Sequence, residues 1–127
     1  MNATLDYSHR DILAARTLHN EIRNLVKAQE RGDETETALQ DIKVLCSCIL
    51  QTIRDSYCQE KMCEVEIHSD ELFAVDKRTL WGRSDTQPLR RLILKSLEAF
   101  EDRLAFLETE REFARASEGN AEVQASL

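Results

Sequence analysis

The sequence predicts an all-α fold with three long helices, and two observations carry that prediction. Glycine and proline are scarce, with three Gly and one Pro in 127 residues, and these residues normally divide a chain into short elements. Three stretches also repeat apolar residues every three or four positions, which is the period of one helix face. We therefore expect helices at about 9–31, 34–62 and 87–116, within a single domain that spans 1–116.

The first helix has recognisable signals at both ends. Ser8 and Asp11 resemble a capping box in which Asp replaces the usual Glu. Gly32 is placed to end the helix, and we expect His19 on its surface. The apolar stripe consists of Ile12, Ala15, Leu18, Ile22, Leu25 and Val26.

The second helix follows the first after a very short connection. Asp33 is the expected N-cap, and the connection is short enough to make the two helices an antiparallel hairpin. The apolar stripe of this second helix consists of Leu39, Ile42, Leu45, Cys46, Ile49, Ile53 and Tyr57.

The third helix is too long for a compact domain of this size. Thr86 is a candidate N-cap and Pro88 lies in the first turn, where a missing N–H is tolerated. From Thr86 to Ala116 the helix would measure about 46 Å, whereas a compact domain of this length is about 36 Å across. We therefore expect an elongated molecule, or a helix end that meets another surface. The stripe facing the core consists of Ile93, Leu97, Phe100, Leu104 and Leu107.

A second apolar stripe repeats every seven residues along the same helix, through Leu92, Ala99, Phe106 and Phe113. One stripe is enough to bury a helix against its own bundle, so a second stripe indicates a second neighbour. That neighbour is either another part of this chain or another subunit. We adopt the second alternative and predict a homodimer with these four residues at the interface.

Residues 63–86 form the least regular part of the sequence, and we interpret them as an irregular connector. Val65 and Ile67 alternate with polar residues, as in a very short strand. The connector also begins a basic segment, 76–95, in which six bases outnumber two acids. Trp and Arg are enriched at binding hot spots, although a Trp here could equally fill the open end of a bundle. The predicted partner-binding residues are Trp81, Leu80, Phe73, Arg83, Lys77 and Arg78. The tail, 117–127, is small and polar, and we expect it to be disordered.

The four cysteines allow a zinc-binding or redox-responsive protein as an alternative. Cys46 and Cys48 are two positions apart on a helix, so their side chains diverge by about 200° and cannot share one ion. Cys46 fits the core, whereas Cys48 lies off the stripe. The candidate zinc ligands are Cys58, Cys63 and His68. Apart from this alternative, the sequence predicts no metal and no cofactor.

The functional prediction rests mainly on the classes of protein that the sequence disfavours. It contains no G-x-S-x-G, H-E-x-x-H or dinucleotide fingerprint, so we do not expect an enzyme. The net charge of −7 disfavours nucleic acid and anionic membranes as partners. No stretch resembles a membrane span or a secretory signal, so we expect a cytoplasmic protein.

What remains is a regulatory protein-protein interaction module. By analogy with other small acidic helical proteins, we expect an adaptor or antiactivator-like protein that binds and masks a partner protein, for instance a transcriptional regulator. A helical secretion chaperone is the further alternative, on the same analogy.

Overall fold

The structure, a computed structural model, describes residues 8–33, 35–78 and 86–125, with side chains described for 8–33, 35–74 and 86–116. This part of the chain is all-α and contains no strand, so the predicted fold class is confirmed. It forms four helices, however, where the sequence predicted three. They are α1 (His9–Arg31), α2 (Ala38–Thr52), α3 (Ser56–Arg78) and α4 (Gln87–Ala125).

The four helices form a bundle in which neighbours run in opposite directions. α1 packs against α2 and α4, and α3 packs against the same two helices. Gln29, near the end of α1, bonds to Arg90, near the start of α4. Between α3 and α4 the bonded partners move backwards along α4, because Asp55 before α3 bonds to Arg103 and Glu64 within α3 bonds to Ser96. With only a few residues between α1 and α2 and between α2 and α3, this is the pattern of an up-down-up-down bundle.

The ends of α1 are those that the sequence predicts. The backbone N–H of Ser8 donates to Asp11 Oδ2 at 2.7 Å, and the N–H of Asp11 donates to Ser8 Oγ at 3.1 Å. Gly32 closes the helix with φ 75°, a left-handed conformation that disfavours residues with a side chain. Local capping chemistry alone therefore fixes both ends of this helix.

The predicted single helix at 34–62 is wrong, because the chain breaks into α2 and α3. α2 ends at Thr52, and Ile53 is extended, with φ −119° and ψ 109°. Asp55 starts α3, since its Oδ2 accepts a hydrogen bond of 3.1 Å from the backbone N–H of Cys58. The start of α2 also differs from the prediction, because the N-cap position is Thr37 and not Asp33.

The predicted irregular connector at 63–86 is wrong as far as Arg78, because those residues belong to α3. Val65 is buried and Ile67 is exposed. Positions two apart share one face of a strand but lie about 200° apart around a helix. The alternation of Val65 and Ile67 with polar residues therefore resembles a strand in the sequence, although the segment is helical. The rest of the connector, at 79–85, lies outside the described residues. At the other end of the chain, α4 continues to Ala125, through most of the tail for which disorder was predicted.

The core lies on the bundle axis and uses residues from all four helices. The stripe predicted for α4, from Ile93 to Leu107, is buried throughout. In α1 and α2, Leu18, Leu25, Leu39 and Leu45 are only partly buried and pack around this core. Its largest fully buried side chains are Phe100, Ile12, Ile22, Ile42, Ile49, Ile53, Met62, Leu72, Ile93, Leu97, Leu104 and His19.

Candidate functional site

The proposed zinc ligands do not converge in the structure. Cys58, Cys63 and His68 lie five residues apart on the continuous helix α3, and each step turns the side chain by about 140° and advances it by about 7.5 Å. Cys58 is also buried, and burial raises the pKa of its thiol to about 12. Among the described residues, no group of three or more potential ligands is arranged to hold a metal ion. The geometry therefore gives the zinc alternative no support.

The remaining cysteines divide into a buried and an exposed group. Cys46 is buried in the core, as predicted, and burial raises the pKa of its thiol to about 12. Cys48 and Cys63 are exposed on the bundle surface. Because the thiolate is the reactive form, the two buried thiols are poor nucleophiles at neutral pH.

A polar cluster between α1 and α4 surrounds a residue that the sequence interpretation misplaced. His19 is only 1% exposed, whereas we predicted it on the surface. Its ring stacks on Phe100 with a centroid distance of 5.6 Å. The residue falls in register with Ala15 and Ile22, and this spacing was the available signal for its burial.

The two ring nitrogens of His19 have different surroundings. Nε2 lies 2.8 Å from the carbonyl oxygen of Leu97 and donates to it. Nδ1 lies 3.7 Å from Glu101 Oε2, and neither of these buried atoms has a hydrogen-bond partner. Burial lowers the pKa of His19, and the nearby charge of Arg23 lowers it further. At neutral pH the ring is therefore uncharged, and its approach to Glu101 is not an ion pair.

This burial predicts a pH dependence of stability. An unfolded histidine has a pKa of about 6.5, so below that pH the unfolded chain binds more protons at this position than the native protein. The free energy of unfolding should then fall as pH drops from 7.5 towards the lower native pKa, by at most about 1.4 kcal/mol per pH unit. Urea denaturation at pH 7.5, 6.5 and 5.5 measures the slope.

His19→Gln keeps a hydrogen-bond donor but does not titrate, so it should flatten this dependence. His9→Gln is the matched control, because His9 is exposed on the same helix, and it should retain the wild-type slope. Equal slopes in the wild type and His19→Gln would contradict the prediction.

Arg16 links α1 to two carboxylates of α4. Its Nε donates to Glu101 Oε1 at 2.9 Å, and its Nη2 donates to Glu108 Oε2 at 3.2 Å. All three side chains are partly exposed. Partly exposed ion pairs contribute little to stability, so we assign this cluster to the orientation of α1 on α4.

The opposite side of α4 carries a cationic and aromatic surface that it shares with α3. Arg103 donates to both carboxylate oxygens of Asp55, from Nε at 3.0 Å and from Nη2 at 2.9 Å. The same guanidinium lies 4.8 Å from the ring centroid of Phe106 and 5.7 Å from that of Tyr57. Both rings are exposed. The bundle therefore holds Arg103 rigidly between two exposed aromatic rings.

The second stripe of α4 is exposed along its length. Leu92 is 45% exposed, Phe106 48% and Phe113 75%, and Ala99 is partly buried. These are the residues predicted for a dimer interface. The structure shows that no other described part of this chain covers Leu92, Phe106 or Phe113, and their role as an interface remains a prediction.

α4 extends well past the helices that it packs against. It has 39 residues, or about 58 Å, whereas α1 and α3 have 23 residues each, or about 35 Å. The first turn of α1 reaches α4 at Glu108, where His9 Nδ1 lies 3.8 Å from Glu108 Oε1. Beyond Glu108, none of the described ion pairs or hydrogen bonds joins α4 to another helix. We call residues 109–125 the overhang of α4; Phe113 lies in it.

The predicted partner-binding residues are largely untested by the structure. Trp81, Leu80 and Arg83 lie outside the described residues. Lys77 and Arg78 occupy the last turn of α3, and their side chains are also outside the described part. Phe73 is only 6% exposed and belongs to the core, so its side chain is not part of a surface in the single chain.

A shallow groove of about 640 Å³ lies between α1 and α2. Leu25, Val44 and Leu45 form its apolar part, and charged side chains, among them Glu21 and Asp41, lie around them. The residues lining this groove include no cysteine, serine or histidine, so they supply no Ser–His or Cys–His pair. We assign no function to the groove.

Comparison of the chain with models of known protein families, with curated proteins and with solved structures gave no match in any of the three. Within the described residues, no helix combines the length and the apolar character needed to cross a bilayer.

Proposed function

We propose that this protein is a non-enzymatic interaction module that binds another polypeptide through the exposed stripe of α4. The observation that carries the proposal is the exposure of Leu92, Phe106 and Phe113 on one helix that the bundle holds in place. Single exposed apolar residues are ordinary on protein surfaces. Here they belong, with the partly buried Ala99, to a stripe that repeats every seven residues, which is the repeat of a helix that packs against a second helix.

The surroundings of Phe106 favour a binding role for this stripe. Binding hot spots are enriched in Tyr, Trp and Arg and are strongest where the side chains are already ordered. Tyr57 and Arg103 meet this description, because the Asp55 carboxylate binds the guanidinium, and the ring of Phe106 lies next to that guanidinium. A partner that covers them would lose little side-chain entropy at this point.

The length of the overhang also supports a binding role for the stripe. A helix that leaves its bundle has lost the apolar neighbours that stabilise most helices in proteins. Phe113, at 75% exposure, lies in this part, which no other described helix joins through a hydrogen bond or ion pair. A second polypeptide along the stripe would supply the missing contacts.

We propose further that the binding is regulatory, in a cytoplasmic adaptor or antiactivator-like protein that masks its partner. Masking fits a rigid bundle with a projecting helix, because such a helix can occupy a groove that the partner needs for its own assembly. The segment that links α3 to α4 in the sequence, with Leu80, Trp81 and Arg83 (the Trp81 region), would then provide a second contact surface.

A photo-crosslinking amino acid at Phe106 tests the principal proposal. In extract of the native host, we expect it to capture a polypeptide, which is either another protein or a second copy of this chain. The same group placed at Leu13, which is 47% exposed but lies on α1, is the control and should capture none. Failure to crosslink any polypeptide at Phe106 would overturn the proposed function.

The Trp81 region has its own test. Truncation of a hot-spot Trp typically costs about 2 kcal/mol or more, which is about thirtyfold in affinity. Trp81→Ala should therefore weaken binding of the crosslinked partner without lowering the melting temperature of the free protein. If the variant instead melts much earlier and binds its partner normally, Trp81 belongs to the core.

A further inference from the structure

We infer that the partner of the α4 stripe is the α4 helix of a second copy, packed antiparallel with Phe106 on the twofold axis. This inference rests on the proposed function, because it names the occupant of the same surface. It also fixes the register and the direction of the two helices. Three features of the described chain lead to it.

The first feature is the position of Phe106 within α4. The described part of the helix runs from Gln87 to Ala125, and Phe106 is the midpoint of that range. An antiparallel pair centred on Phe106 therefore overlaps along all of the described range. Phe113 of each copy, which is exposed in its own chain, then lies against the part of the partner helix that packs on its bundle.

The second feature is the order of side-chain sizes along the stripe. In this register Phe106 meets its own copy, and Ala99 lies opposite the partner's Phe113. Ala99 is the smallest residue of the stripe, and in this register it faces a large side chain that fills the space beside it. A parallel pair would place Ala99 against its own copy and would leave a gap at that level.

The third feature is the charge beside the stripe. Arg103 and Glu110 each lie four residues after a stripe position, and so on the same flank of the helix. In the antiparallel register, the position opposite Arg103 is only one residue from the partner's Glu110. Arg103 uses Nε and Nη2 for Asp55, and its Nη1 remains available to face that carboxylate. The twofold axis repeats this pairing, which favours the register on both flanks of the centre.

Disulfide trapping tests the register directly. The background is Cys48→Ser with Cys63→Ser, since these two thiols are exposed, while Cys46 and Cys58 are buried and remain. In this background Phe106→Cys should oxidise to a covalent dimer. Leu92→Cys should form no covalent dimer, because the antiparallel register separates the two copies of that position by about 42 Å, far beyond the reach of a disulfide.

Ala99→Cys and Phe113→Cys test the cross-pairing. Mixed together, these two variants should form a mixed disulfide, and each alone should crosslink poorly, since its two copies lie about 21 Å apart along the helix. If Leu92→Cys crosslinks as readily as Phe106→Cys, the helices are parallel and the inference is wrong.

Sedimentation equilibrium tests the proposed dimer without introduced cysteines. The wild type should be a dimer at micromolar concentration, and Phe106→Glu should raise the dissociation constant at least thirtyfold with unchanged far-UV helicity. Leu13→Glu is the matched control and should remain dimeric. A wild type that is monomeric at about 100 μM would overturn this inference and not the proposed function, provided that the crosslinker at Phe106 still captures a different protein.

Discussion

Ile49→Asp should abolish the folded bundle. Ile49 is fully buried in the last turn of α2, and in this variant a carboxylate would enter the core with no charged partner. The desolvation of an unpaired charge costs several kcal/mol, and complete stability for a domain of this size is on the order of 5–15 kcal/mol. We expect loss of the cooperative thermal transition and of most far-UV helicity at 25 °C.

Val44→Asp is the matched control on the same helix. Val44 is 50% exposed, so its replacement by Asp leaves the new charge in water and should change stability by less than about 1 kcal/mol. A cooperative transition in Ile49→Asp close to that of Val44→Asp would show that α2 does not pack as the structure describes.

Asp55→Ala should produce the second-largest effect, because Asp55 performs two functions at once. Its carboxylate caps α3 through the backbone N–H of Cys58, and it holds both donors of Arg103 on α4. Loss of an N-cap typically costs about 1 kcal/mol. Loss of a partly buried ion pair adds a further 1–2 kcal/mol, roughly, when its guanidinium remains in place. We therefore expect a destabilisation of about 2–3 kcal/mol in urea unfolding.

Asp55→Asn separates the two functions, because Asn is nearly as good an N-cap as Asp but carries no charge. It should recover about 1 kcal/mol relative to Asp55→Ala. The control is Asp70→Ala, which breaks the exposed ion pair with Lys43 and should cost less than about 1 kcal/mol. Equal stability of Asp55→Ala and Asp70→Ala would exclude the double function.

The same carboxylate contributes a second pH dependence, at acid pH. Hydrogen bonding to Arg103 holds the pKa of Asp55 below its usual value. The native protein therefore binds fewer protons there than the unfolded chain, whose Asp pKa is about 3.9. The stabilisation is fully present above that value and is lost as pH falls through the lower native pKa. This loss of stability therefore occurs at lower pH than the loss caused by His19, which begins near pH 6.5.

The break between α2 and α3 shows why the sequence did not yield the helix count. The usual interruptions, Gly and Pro, are absent from residues 53–55, and apolar periodicity continues through Ile53. Asp55 and Ser56 do have the composition of a helix start, but such pairs also occur within helices. Asp55 caps α3 locally through Cys58, and it also bonds to Arg103, a residue 48 positions away that the local pattern could not indicate.

His19 illustrates the same limit for the polar cluster. A histidine in register with an apolar stripe is compatible with burial or with exposure at the edge of the stripe. Its position was decided by a carbonyl oxygen on α4 and by the ring of Phe100, both of which are distant in sequence. The exposed stripe was easier to predict, because a seven-residue repeat is visible within one helix.

The sequence by itself determined the features whose causes are local. These are the helical class, the capping of α1 from Ser8 to Gly32, and the two stripes of α4. Tertiary structure decided the number of helices, the burial of His19 and the pairing of Asp55 with Arg103. The physical reason is that periodicity and capping act over one or two helical turns, whereas these features depend on side chains that only the bundle brings together.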